Sequence, residues 1–126
     1  ENTRLRNREE FLCKLLIPYI KPLDSLIKSP KQLTIVQWAE VEENINKLYN
    51  NFTLRLKEQF PSFTNNDLQV CCLIKLRITV SDIAKILNIS PASVSKRKQR
   101  IKEQIIKELG DNFDKSQLID IWIWEY

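Results

Sequence analysis

Apolar residues recur along this chain at helical spacings, and the breaks between the runs set the elements. Leu5, Leu12, Tyr19 and Leu26 return every seven residues, with Leu15, Leu16 and Leu23 between them. That is coiled-coil spacing. Pro18 and Pro22 interrupt it, because each removes a helix hydrogen bond and crowds the preceding turn. The pattern predicts one helix up to about Pro18 and a kinked or second short helix after it. Residues 1–30 then form a helical linker, either a dimerisation arm or a segment packed on its own domain. Spacing alone leaves both open.

After Ser29-Pro30-Lys31, a second stripe runs through Trp38, Val41, Ile45, Leu48, Phe52, Leu56 and Phe60. It predicts one long helix or two end-to-end helices with a core-facing aromatic stripe. Asn50-Asn51 is its weak point, since Asn favours caps and turns. Pro61 stops it. Three shorter helices follow, each with a start signal. Thr64 caps the first with Asp67 three residues on, a capping-box arrangement, and the helix through Val70-Cys71-Cys72-Leu73 is apolar on nearly all sides, as a buried centre would be. Thr79 and Asp82 repeat the device ahead of Ile83-Ala84. Ser90 caps again, with Pro91 at the first helical position, where a missing N–H costs nothing. Only Asn88-Ile89 separates the last two helices, which predicts a helix-turn-helix. Gly110 is a C-terminal stop. A last helix is expected from Asp114, with Leu118, Ile121, Trp122 and Glu125 on one side. The fold class is therefore all-α: long N-terminal helices on a helix-turn-helix bundle with a C-terminal helix, the scaffold and bundle spanning 31–126 and the helix-turn-helix core 63–109.

Composition removes most chemistry. Among 126 residues Gly appears once and His never. One Gly leaves no glycine-rich phosphate loop, and the lack of His takes away most acid–base and metal chemistry, so no enzyme, cofactor, metal site or small-molecule substrate is expected. Cys13, Cys71 and Cys72 fit neither a disulfide framework nor metal spacing. Cys71 and Cys72 read as small buried hydrophobes, which points to a reducing, cytoplasmic compartment. The absence of Met reads as a piece of a longer protein.

Charge changes the picture. Residues 1–78 carry a net +3, residues 79–109 a net +4 and residues 110–126 a net −3. The densest run is Lys96, Arg97, Lys98, Arg100 and Lys102. At 100° per residue, Val94, Ile101 and Ile105 fall together and face the core. The opposite face holds Ala92, Lys96, Gln99, Arg100 and Glu103, flanked by Ser93 and Arg97. Lys98 lies near the core stripe and is expected to run its stem over apolar surface with its ammonium in solvent. A basic helix whose N-terminal half is small and polar suits a major groove.

The stretch from Phe63-Thr64 to Ile105 resembles the LuxR/GerE type of helix-turn-helix. Phe63, Thr64, Asp67, Val70, Thr79, Asp82, Ile83, Ala84, Leu87, Ile89, Ser90, Ser93, Val94, Ile101 and Ile105 carry the likeness. Ile-Ala with Ile-Ser also occurs in sigma-factor region four. The segment from Trp38 to Pro61 is similar to a branch of bacterial regulators in which the helix-turn-helix closes a long, sometimes membrane-anchored, sensor chain. This implies the output domain of a transcriptional regulator, binding double-stranded DNA as a homodimer and governed by an upstream sensor region. The resemblance places base contacts at Ser95, Lys96 and Gln99 and phosphate contacts around Thr79, Ser93, Arg97 and Arg100. Lys102 and the capped helix start at Ser90 join the phosphate set. Three positions depart from the family: Arg77 stands where a turn glycine is usual, Ser95 where a charged residue is common, and Arg97 where His is frequent. The competing readings are a protein-interaction module whose helix-turn-helix is structural only, and a sigma-factor-like promoter reader.

Overall fold

The computed structural model describes residue 8 and residues 11–126, and among these all regular structure is helical. Leu5 of the expected heptad lies outside the described residues. Residues 11–16 are helical (α1), a 3-10 turn spans Ile17–Tyr19, and α2 spans Lys21–Lys28. The two prolines punctuate these elements. Pro18 sits inside the 3-10 turn and Pro22 in the first turn of α2, where no intrahelical N–H is needed. The break divides the heptad stripe into two parts with opposite fates. Leu23 and Leu26 are buried and join the same core as the rest of the chain. Phe11, Leu12, Leu15, Leu16 and Tyr19 stay exposed. The stripe is thus not one continuous seam.

The second stripe resolves into two helices, α3 (Ile35–Leu48) and α4 (Phe52–Gln59), parted at the Asn pair. Asn50 and Asn51 adopt φ of 51° and 58°, a left-handed conformation that Asn tolerates better than most residues. The Asn46 side chain bridges the break, its Nδ2 donating to Thr53 Oγ1 at 2.8 Å and its Oδ1 accepting from the Thr53 N–H at 2.9 Å. Arg55 draws the turn together by donating to the carbonyls of Asn50 and Tyr49, and reaches Tyr126 O at 3.0 Å. Thr34 and Gln37 form a capping box at the start of α3.

α5 (Asn65–Lys75) is the central helix. Leu68, Val70, Cys71, Cys72, Leu73 and Ile74 are all buried on it. Around it lie α6 (Val80–Leu87), α7 (Pro91–Leu109) and α8 (Ile119–Glu125), with a 3-10 turn Gly110–Asn112 after α7. α6 packs on α7, α8 packs on α5 and α7, and α4 packs on both α3 and α5.

The C-terminal element is a helix, as expected, but it begins at Ile119 rather than at Asp114 and its buried face is shifted. Ile119 and Ile123 are buried, whereas Leu118 is exposed. Leu118 is the N-cap residue, outside the helical turn, so counting the wheel from it displaces the face. Trp122 packs edge-on to Phe60 and against Phe113 and Tyr126. The Trp124 indole N–H donates to Ile74 O at 2.9 Å. The buried Lys75 ammonium, which lies over the Tyr49 ring, donates to Trp124 O at 2.7 Å. These contacts bind α8 to the end of α5.

Candidate nucleic-acid interface

Three side-chain caps build the helix-turn-helix. Thr64 Oγ1 accepts from the Asp67 N–H at 3.2 Å while Asp67 Oδ2 accepts from the Thr64 N–H at 2.9 Å. Thr79 Oγ1 accepts from the Asp82 N–H at 3.2 Å, and Ser90 Oγ accepts from the Ser93 N–H at 3.1 Å. Each satisfies an N–H that the helix start leaves without a partner. Asn88 closes α6 at φ 55°, so the chain turns at once into the Ser90 cap.

The turn between α5 and α6 is made without a glycine. Arg77 itself takes φ 60°. For a residue with a Cβ this costs about 1–2 kcal/mol. Part of that cost is returned by Trp124, whose ring lies 4.3 Å from the Arg77 guanidinium carbon, a cation–π contact worth roughly 0.5–1 kcal/mol where solvent reaches it. The same tryptophan is anchored on Ile74, so α8 holds the turn that launches α6.

α7 is 19 residues long and meets the core through Val94, Ile101 and Ile105, all fully buried. Ala92, Ser95, Lys96, Gln99, Arg100 and Glu103 are exposed on it, and Ser93, Arg97 and Lys102 are half-buried. The three base-reading candidates, Ser95, Lys96 and Gln99, therefore share the solvent side of one helix. Of the phosphate candidates, Ser90 and Ser93 lie at its start, their hydroxyls 2.9 Å apart. Thr79 lies at the start of α6, and Arg97, Arg100 and Lys102 follow along α7. The Thr79 and Ser90 oxygens are occupied as caps, which leaves helix-start N–H groups rather than these hydroxyls to meet a phosphate.

The cation run is less free than its sequence suggests. Lys98 does not project into solvent. Its Nζ bonds both carboxylate oxygens of Asp120, at 3.1 and 2.9 Å, and only 13% of its side chain is exposed. Its place beside the core stripe aims it at α8, where Asp120 waits. Arg100 reaches Asp67 Oδ2 at 3.6 Å, yet stays 60% exposed, so its guanidinium retains a solvent face. Asp114, held below the usual carboxylate range first by its bonds from Ser116, also lies in the field of Lys102. Among the described residues no carboxylate pairs with Lys96 or Arg97. The acidic partners Asp67 and Asp120 escaped sequence reading because both lie far from α7 in the chain. Asp120 carried a faint signal, as one acid of a tail opposite in charge to the helix.

Among the described residues no cluster of side chains suited to a metal ion occurs, and no helix is long and apolar enough to cross a membrane. Compared with protein-family models, curated proteins and solved structures, the chain matches none.

Proposed function

We propose that this chain binds double-stranded DNA as the output domain of a LuxR-like transcriptional regulator, α7 lying in the major groove. The observation that carries this reading is the outward face of α7. Ser95, Lys96 and Gln99 stand clear of the fold, on a helix whose opposite side is locked into the core and whose start is set by a tight turn from α6. Lys and Gln reach base edges bidentately, and a small residue beside them permits close approach. Arg97, Arg100 and Lys102 supply phosphate contacts that set register. A single such helix reads too few base pairs for useful specificity, so the reading calls for two copies and for control by a sensor region of the same protein. The exposed apolar side chains of α1 favour a second reading, a protein-interaction module in which the helix-turn-helix is packing alone.

The test is fluorescence anisotropy with a duplex of random sequence over a series of salt concentrations. Log affinity is expected to fall linearly with log salt, by about 0.9 for each phosphate neutralised. Lys96→Glu/Gln99→Glu is the informative variant, because both side chains are exposed and neither is tied into an ion pair. Arg100→Glu is not, since it sets a carboxylate beside the buried Asp67. The variant is expected to lose binding while keeping its helix content. A folded wild-type chain that shows no salt-dependent binding, even when fused to a dimerising coiled coil, refutes the reading and leaves the interaction module.

A further inference from the structure

α1 is packed with its large residues pointing the wrong way for a monomer. Among the contacts that hold it to the fold, Cys13 Sγ donates to Leu48 O at 3.3 Å, and Ile17, in the following turn, is buried. Phe11, Leu12, Leu15, Leu16 and Tyr19 are between 53% and 86% exposed. On a helical wheel Phe11, Leu12, Leu15 and Leu16 fall within a single arc of about 140°, while Cys13 falls on the other side; Tyr19 is exposed in the 3-10 turn that follows. A helix that half-buries a thiol and presents a phenylalanine and three leucines, with a tyrosine exposed in the turn after it, is built to be covered from outside.

We propose that a second copy of this chain covers it, the α1 stripes of two copies packing on each other about a two-fold axis. The dimer required above is thereby given its seam, and to that extent the inference rests on the proposed function. Two features favour a second copy over a foreign partner. The first is spacing: Leu12, Leu15 and Leu16 stand three and four apart on one face of α1, a pattern complementary to itself, as an isologous interface must be. The second is area. Taking about 200 Å² for a fully exposed side chain of this size, the five offer roughly 600 Å² per copy. A pair therefore buries about 1,200 Å², the lower end of what stable specific interfaces use. Lys14 lies off the stripe, while Arg8, helical and exposed, falls within its arc one turn before Leu12 and puts a cation at its N-terminal end.

The experiment is sedimentation velocity on the whole chain, without DNA, between about 1 and 100 μM. A concentration-dependent dimer is expected. Leu12→Lys/Leu16→Lys is expected to weaken it at least tenfold with no change in helical circular dichroism, because both side chains are already in solvent. Tyr19→Lys tests the same seam from outside α1 and is expected to act in the same direction. Ile35→Lys/Val36→Lys alters the other exposed apolar pair, at the start of α3, and is expected to leave the dimer intact. A wild-type chain that stays monomeric at 100 μM overturns the proposal, as does a dimer that survives both α1-stripe variants. Since no DNA is present, failure here is separate from failure of the DNA reading, which the fused coiled-coil dimer tests independently.

Discussion

Lys96 and Lys98 lie two positions apart in one basic run, and replacing either by Gln removes one positive charge. The structure assigns the two changes opposite consequences. Lys98 is 13% exposed and makes both oxygen contacts with Asp120, itself 31% exposed. A fully exposed pair contributes about 0–1 kcal/mol, and breaking a fully buried one costs about 3–5 kcal/mol. A pair of intermediate exposure, with the orphaned carboxylate still reaching water, is worth about 1–2 kcal/mol. For a chain of this length that is a fall in Tm of roughly 3–8 °C. Lys98→Gln is therefore expected to melt earlier and to keep its DNA salt slope, since Lys98 points at α8 rather than at a groove. Lys96→Gln is expected to melt within about 1–2 °C of wild type, as exposed surface changes do. As a base-edge contact it should cost about 1–3 kcal/mol, roughly five- to 150-fold, in affinity for the preferred sequence and leave most of the salt slope in place. Thermal melts by circular dichroism and anisotropy titrations on the same samples read both quantities. If Lys98→Gln weakens DNA binding as much as Lys96→Gln and leaves Tm unmoved, Lys98 faces DNA and the account of the α7–α8 contact is wrong.

Three further outcomes follow from features away from that face. Arg77→Gly relieves the left-handed backbone and loses the Trp124 contact, so it should fall within about 1 kcal/mol of wild type and above Arg77→Ala, which keeps the strain and loses the contact; urea melts giving the reverse order refute the compensation. Gly110→Ala, whose Cβ meets no atom within 4 Å, should cost only the backbone penalty at φ 55°, ψ −127°, a region outside left-handed α, of about 1–3 kcal/mol, and a larger loss in chemical denaturation would show a clash. Burial, with lesser contributions from Asp67 at Cys71 and from Cys71 and Glu42 at Cys72, pushes both thiols above their ordinary range. The folded state thus keeps protons that the unfolded state releases. Stability from this source is complete below the unfolded pKa near about 8.5 and declines above it by about 1.4 kcal/mol per pH unit for each cysteine. Denaturation between pH 8 and 10.5 measures that decline, and Cys71→Ala/Cys72→Ala should flatten it.

What the sequence reveals here is what local chemistry decides. The Thr64, Thr79 and Ser90 caps need only a hydroxyl and an N–H three residues on, and all three form. Val94, Ile101 and Ile105 share one face by helical period alone, and all three are buried. The Asn50-Asn51 break follows from the same local preference. Contacts between distant elements are not legible. The Lys98–Asp120 bond joins residues 22 apart, and its existence depends on where α8 docks. Arg77 signals a left-handed backbone only through the turn glycine that the resemblance expects there, and the ring that offsets its cost comes from Trp124. The heptad spacing of the first stripe is continuous in sequence, yet the Pro18 turn sends Leu23 inward and leaves Leu12 and Leu16 outside. Periodicity shows that residues share a face but not which way that face points. At the candidate interface, Lys96 and Gln99 lie on the exposed face that the wheel and the resemblance both assigned them, and Ser95, assigned by the resemblance alone, is exposed beside them, while the charge available around them depends on acids supplied by α5 and the tail.

Arg55 has a bearing on the order in which this chain assembles. Two of its three bonds are to carbonyls five and six residues before it, but the third reaches Tyr126 across 71 residues. The α6–α7 pair, by contrast, is built from neighbours in sequence. Closing a long loop spends chain entropy before its contacts return any stability, so docking of α8 belongs late in folding, after α4 and α5 have created its seat. The same asymmetry applies in reverse at equilibrium. α8 can detach while α6 and α7 remain paired, a sub-global opening that costs less than unfolding the core. Native-state hydrogen exchange should accordingly divide the chain into two cooperative units, with amides of α8 exchanging at a lower free energy than those of α5, and with Arg55→Ala lowering only the first.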